Sequence, residues 1–346
     1  MSQTEPPQTD PLALDPGALD AYLRTVVPDH AGPLSINRCQ GGQSNPTYRV
    51  ATPSRRYALR RKPPGMLLPS AHALDREYRV LAALAGTGVP VPKVFLYCDD
   101  PTVIGSPFYL MDWIDGRVFW DATLPDCAPP ERAAIYDAAN AALAALHGVD
   151  WRQAGLADFG RPGNYFSRQI SRWSKQYAAS ATHTIEDMDR LMAWLPANLP
   201  PDDETAIVHG DFRLDNMIFA HHEPRVLAIL DWELSTLGHP LADLAYFCMT
   251  WHLSPALFRG LAGTDYSAAG ILDEKSFIAA YCQRTGRRDI EHWPFYLAYN
   301  LFRLAAILQG VSARALQGNA VGGEARRMGD KVAPIAAIAR DYVNRS

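Results

Sequence analysis

Residues 205–233 read TAIVHGDFRLDNMIFAHHEPRVLAILDWE. Apolar runs AIV, MIFA and VLAIL alternate here with polar knots, the pattern of short strands joined by turns. The first knot, His209-Gly210-Asp211-Phe212-Arg213-Leu214-Asp215-Asn216, has the spacing H-x-D-x-x-x-x-N, and the second is Asp231-Trp232-Glu233. A loop carrying Asp211 and Asn216 sets a carboxylate and an amide oxygen on one short curve. The hairpin MIFA–HHEPR–VLAIL is then expected to return Asp231 beside Asn216. Oxygen donors of this kind suit hard Mg²⁺, which takes one or two protein ligands and fills its other positions from phosphate and water. A carboxylate at an attacking hydroxyl, a few metal ligands and cations along phosphates are what phosphoryl transfer asks of a protein.

Around this island the chain changes character. The first 14 residues, rich in Pro, Gln and Thr, are expected to lack fixed structure. Asp15-Pro16-Gly17 predicts a helix start, with Asp15 as N-cap and Leu19, Tyr22 and Val26 as the apolar stripe. From Leu34, the segments LSINRC, TYRVAT and RRYALRRK read as antiparallel strands separated by polar turns, GGQSNP between the first two. SAHALDREYRVLAALAGTG reads as an amphipathic helix capped by Ser70, its stripe Leu74, Tyr78, Leu81 and Leu84. VPVPKVFLYCDD and SPFYLMDWIDG read as two more strands. Beyond Gly116 helical spacing dominates, in PPERAAIYDAANAALAALHGVD and in 164–180, 185–197, 272–285, 293–317 and 324–344. The expectation is an α+β chain: a β-rich N-lobe over 15–115 and a larger, mainly helical C-lobe over 116–346.

Composition sets outer limits. In 346 residues, 48% are hydrophobic and the net charge is −4, so there is core enough for two domains and no general basicity to attract nucleic acid. No apolar run approaches the roughly 18 residues that span a bilayer. The first residues lack the regions of a signal peptide, and the five Cys are scattered, without a CxxC pair. Reduced thiols in the cytoplasm are the expectation. No partner beyond a small molecule is indicated, and the oligomeric state stays open.

GGQSNPTY, LRRKPPG, HALDREYRVL, VPVPKV, HGDFRLDN and LDWELSTLG together resemble the aminoglycoside-phosphotransferase and choline-kinase branch of the protein-kinase-like superfamily. Within it they are most similar to the kinase-like N-terminal region of certain acyl-CoA dehydrogenases, over most of residues 30–310. The resemblance implies a two-lobed protein-kinase-like fold with the nucleotide between the lobes, and ATP and Mg²⁺ as cofactors. It implies Asp211 as the catalytic carboxylate, Asn216 and Asp231 as metal ligands, and Arg213 at the phosphate or substrate. His209 and Asp243 would support the loop. Where the family commonly has Asp, this chain has His239.

On the nucleotide side, Gly41, Gly42, Gln43 and Ser44 fit a phosphate-covering loop, although a Gly-Gly turn also serves as an ordinary hairpin. No GxxxxGK[ST] occurs. The lysine slot of the third strand falls on Arg60, with Lys62 on the same strand face as the alternative and Glu77 as the helix partner. FYLMDWIDG resembles the hinge between the lobes, and the resemblance implies that backbone groups of Asp112 and Ile114 would meet adenine, with Met111 shaping the back of the pocket.

The acceptor is the open question. Arg168, Arg172, Glu233 and Arg303 are candidate substrate contacts. The basic segments 160–177 and 300–314 beside aromatic residues fit an anionic or acyl-bearing alcohol such as a hydroxyacyl-CoA better than a polycationic aminoglycoside. The sequence therefore carries a small-molecule kinase as first reading. A non-catalytic nucleotide- or acyl-CoA-binding module is the second and an aminoglycoside phosphotransferase the third.

Overall fold

The computed structural model describes residues 12–39, 45–63, 73–316 and 327–344. Its contacts divide the chain into two units, Met1–Asp115 with Leu227–Glu233, and Gly116–Val226 with Leu234–Ser346.

The first unit begins with α1 (Pro16–Val26), whose first free N–H groups, on Gly17 and Ala18, donate to the Asp15 carboxylate. Strands β1 (Ser35–Arg38), β2 (Thr47–Ala51) and β3 (Arg56–Arg61) lead to α2 (Leu74–Leu84). Then come β4 (Val94–Cys98), the one-turn α3 (Pro101–Ile104) and β5 (Phe108–Asp112). All strand pairs are antiparallel, in the order β1-β2-β3-β5-β4. Alternation along β3 sends Tyr57 and Leu59 to one face, where α1 contributes Leu19 and Leu23 to the core with Val50, Phe108 and Leu110. The opposite face carries Arg60, paired across the sheet with Tyr109.

Two local expectations are corrected. The buried side of α1 is Leu19 and Leu23, while Val26 is 44% exposed. The next residue, Val27, turns inward in its place. Helix α2 has Ala73 at its N-cap, with no side-chain cap bond; Ser70 lies outside the described residues, as do Gly41, Gly42, Gln43 and Ser44.

The second unit is mainly helical. It holds α4 (Pro129–His147), α5 (Tyr165–Ser180), α6 (Glu186–Ala197), β6 (Ala206–Val208) and β7 (Met217–Phe219). Strand β8 (Val226–Ile229) leads into the first unit, and the chain returns with β9 (Thr236–Gly238). Helices α7 (Pro240–Cys248), α8 (Pro255–Phe258), α9 (Tyr266–Ala269), α10 (Glu274–Thr285), α11 (Trp293–Leu316) and α12 (Val332–Val343) follow. Helix α11 is apolar around most of its surface because α5, α7 and α12 all pack on it. No helix among the described residues is long and apolar enough to cross a membrane.

Candidate active site

The loop after β6 is anchored before any chemistry is considered. Strand β6 is buried along its whole length and pairs antiparallel with β9, Ala206 opposite Gly238 and Val208 opposite Thr236. Gly210 then takes φ +84°, and a Cβ there would stand 2.8 Å from the Leu234 carbonyl oxygen, so the turn needs glycine for both conformation and space. The loop amides converge on Asp243 of α7: the N–H of His209 donates to Oδ2 and that of Gly210 to Oδ1 at 2.9 Å. Burial would raise this carboxyl, 1% exposed, but the hydrogen bond and charge of His147 and the Gly210 amide outweigh it and hold the pKa low. His209 is fully buried, and its Nδ1 accepts the Asp211 N–H at 3.1 Å. That bond ties its ring to the loop.

Asp211 emerges from this frame with its carboxylate surrounded by donors. Tyr246 donates to Oδ1 at 2.6 Å and Asn216 Nδ2 to Oδ2 at 2.9 Å. The same amide also holds the Asp211 main-chain carbonyl at 2.8 Å, across the short 3₁₀ turn Leu214–Asn216. Both of these Asn216 contacts use Nδ2, so neither takes up Oδ1. Arg213 spans the Asp211 carboxylate and reaches Asp215 at 3.5 Å, which Arg259 also pairs.

In the first unit the corresponding feature is a chain of charges. Arg60 Nε is 3.2 Å from Glu77 and its Nη2 donates to Asp231 Oδ1 at 2.8 Å, with Glu233 4.0 Å away. Glu77 accepts in addition from Asn45 and from the Tyr109 hydroxyl. Although burial opposes it, the charges of Glu77, Tyr109 and Asp231 raise the Arg60 pKa, and the guanidinium stays charged. Of the two candidate cations, Arg60 is the one in this pair; Lys62 is half-buried, its N–H donating to the Pro107 carbonyl. Asp231 occupies the left-handed region at φ +65°, a conformation Asp tolerates better than most residues. Trp232 behind it is buried, its Nε1 bound to the Ile229 carbonyl.

Several expected contacts fall elsewhere. The Asp112 N–H donates to the Lys93 carbonyl at 2.8 Å, extending the β4–β5 ladder, and its carboxylate takes Arg55. Met111 is buried in the same strand and Ile114 is half-buried. Arg303 is only 5% exposed: it donates to the Gly210 carbonyl at 2.5 Å and lies against the rings of Trp173 and Tyr246. Those contacts brace the loop after β6. Arg168 turns back onto the carbonyls of Gly163 and Arg161 at the start of α5, and Arg172 lies exposed over Trp173. Tyr246 and His147 escaped the sequence reading. Tyr246 had a signal, since it stands three residues after Asp243 and so on the same helix face. His147, whose Nδ1 meets the Tyr281 hydroxyl at 2.7 Å, had none.

His239 has a structural explanation. It is the N-cap of α7, and its Nδ1 accepts the Leu241 N–H at 3.3 Å, the service a capping Asp carboxylate would give. Burial pushes its pKa down to about 4, so the ring caps as a neutral group. The unfolded chain binds this proton near pH 6.5 and the folded one does not, so stability is full above pH 6.5 and falls with acidification toward pH 4. Between pH 7 and 5 the loss attributable to His239 is about 2 kcal/mol. Urea unfolding at both pH values should show that slope in the wild type and lack it in His239→Asn; equal slopes would contradict the assignment.

The comparisons with known proteins agree with this geometry. Residues 35–277 match the family described as APH, phosphotransferase enzyme family. Acyl-CoA dehydrogenase family member 10 of Mus musculus is 44% identical over 337 residues, 96% of this chain but 32% of that protein. The chain thus spans about a third of the length of that curated relative. The crystal structure of a candidate aminoglycoside phosphotransferase from Ralstonia eutropha JMP134 is 50% identical and superimposes with a TM-score of 0.89, covering 96% of this chain and 99% of that one. A thermostable mutant of aminoglycoside phosphotransferase APH(4)-Ia, solved in a ternary complex with ADP and hygromycin B, shares the fold at 14% identity and a TM-score of 0.59, over 94% and 97% of the two chains. The fold is protein-kinase-like and two-lobed, with a small antiparallel-sheet lobe and a helical lobe. The chain belongs to the APH phosphotransferase enzyme family.

Proposed function

We propose that the chain is an ATP-dependent small-molecule kinase that phosphorylates an alcohol, and that the alcohol belongs to a hydroxyacyl-CoA-type molecule. The observation that carries the reading is the Asp211 carboxylate, fixed by Tyr246 and Asn216 on a loop anchored to Asp243. In this role Asp211 orients the acceptor hydroxyl and takes its proton as the oxygen attacks phosphorus in line. Arg213 and Arg60 hold phosphate oxygens.

Mg²⁺ suits the donors available. Asn216 Oδ1 and the carboxylate of Asp231 are hard oxygens, and among the described residues no His, Cys and carboxylate cluster competes as a metal cage. Bound there, the ion would neutralise charge on the transferring phosphates.

The acceptor assignment rests on a pocket beside the loop. Its walls include Phe119, Tyr136, Phe247 and Phe258, and Tyr246 and Arg213 line it together with Asp215 and Arg259. The two guanidiniums of the lining are paired, Arg213 with Asp211 and Asp215 and Arg259 with Asp215. An acyl chain fits the apolar walls and an anionic group the guanidiniums, whereas a polycationic aminoglycoside finds only carboxylates that arginines already pair.

The test is ATP, Mg²⁺ and purified protein with a panel of hydroxyacyl-CoAs, aminoglycosides and choline, read as ADP release and mass gain of the acceptor. Phosphorylated hydroxyacyl-CoA is the expected product. Turnover on an aminoglycoside alone would overturn the acceptor assignment. A second reading, a non-catalytic nucleotide-binding module, is favoured by the Arg60–Asp231 pair, which occupies an expected metal ligand. Calorimetric ATP binding that ignores Mg²⁺ would favour it over the kinase.

A further inference from the structure

The surroundings of Asp211 carry more than its role as a carboxylate. A carboxylate offers about four lone-pair positions. Tyr246 takes one on Oδ1 and Asn216 one on Oδ2. Arg213 lies across the remainder, Nε 3.1 Å from Oδ1 and Nη2 3.2 Å from Oδ2. These grips differ in permanence. The Arg213 side chain is 25% exposed and has Asp215 as an alternative partner 3.5 Å from its Nη2. Tyr246 is only 5% exposed, and the Arg303 guanidinium lies 5.0 Å from its ring centroid. That guanidinium also donates to the Gly210 carbonyl. One buried block of α7 and α11 therefore holds Gly210 by its carbonyl and Asp211 by its side chain.

We propose that Tyr246 is a positioning residue for Asp211, fixing one carboxylate oxygen so that the lone pairs facing Arg213 are those an acceptor hydroxyl takes when Arg213 moves aside. This rests on the reading of Asp211 as the catalytic carboxylate. Tyr246 acts as donor only: burial and the Asp211 charge hold its phenol well above the ordinary value. The charged and titratable groups facing Asp211 are Arg213 from its own loop, Tyr246 from α7 and Arg303 from α11, with Asp215 beyond Arg213.

The experiment follows the Asp211 carboxyl carbon by ¹³C NMR at one neutral pH in the full chain, assigned by its absence in Asp211→Asn. Loss of the Tyr246 donor should shift that resonance in Tyr246→Phe. Tyr246→3,5-difluorotyrosine, a stronger donor of the same shape, should shift it in the opposite direction, and this variant decides the matter if the Phe variant does not fold. A resonance unmoved by either substitution overturns the proposal. In the transfer assay with ATP, Mg²⁺ and a hydroxyacyl-CoA, Tyr246→Phe should lower kcat about tenfold and leave both KM values in place. A raised acceptor KM with unchanged kcat would instead make Tyr246 a pocket wall and overturn its positioning role. If wild-type protein transfers phosphate to nothing, the kinase reading fails, and the NMR arm still decides whether Tyr246 holds Asp211.

Discussion

Asp211→Asn should lower the transfer rate by roughly 10²–10⁴, the range for losing a positioned general base. The substitution keeps the size of the side chain but removes its charge and one acceptor. It also aims an NH₂ group at donors: Asn216 Nδ2 faces Oδ2, Tyr246 faces Oδ1, and Arg213 lies across both. An amide cannot satisfy all three, so the loss combines a missing base with a disturbed orientation. Nucleotide affinity should stay within about twofold, because the charge chain of Arg60, Glu77 and Asp231 does not depend on this side chain. Rapid-quench transfer together with calorimetric ATP binding checks both halves. Wild-type turnover in the variant would remove Asp211 from the chemistry.

Asp243→Ala is expected to cost about 3–5 kcal/mol of stability and to abolish activity in whatever protein remains folded. The carboxylate accepts the buried N–H groups of His209 and Gly210, and it faces His147 at 3.6 Å. Truncation takes that acceptor from both amides and opens a hole beneath the loop. Each lost bond to the buried carboxylate costs about 1–3 kcal/mol. Asp243→Asn keeps one acceptor oxygen and should fall between. Urea midpoints rank the three proteins, and an Ala variant as stable as wild type would show that the loop is held by something else.

Much of the fold was legible because its signals were local. Asp15 with Pro16 fixes the start of α1, and turn residues between β-branched runs mark the antiparallel strands. Other features depended on tertiary packing. The stripe of α1 shifts from Val26 to Leu23 because the sheet beneath it, with Phe108 and Leu110, decides which face is covered. Ser70 is a good capping residue, but the helix starts at Leu74 with Ala73 as its N-cap. For the candidate site, spacing drew attention to Asp211, Asn216 and Asp231, but not to what surrounds them. Arg303, read as a substrate contact from the basic segment it lies in, is buried among Trp173, Tyr246 and Gly210, partners on α5, α7 and the loop that no local pattern connects to it. His239 departed from a family habit in residue type while keeping the capping interaction.

The return of residues 227–233 to the first unit bears on how this chain is made. Arg60 meets Asp231 across 171 positions of sequence, and Ile229 donates to the Pro90 carbonyl. A ribosome that has released residues 1–115 has therefore not yet supplied everything that unit contains. At about 5–20 residues per second, the missing segment follows by several seconds or more, and until then Arg60 has no Asp231 partner. Long-range closure of this kind slows folding. An isolated 1–115 fragment should accordingly be a poor expression target, and a nascent chain paused between 115 and 226 a natural client for chaperones.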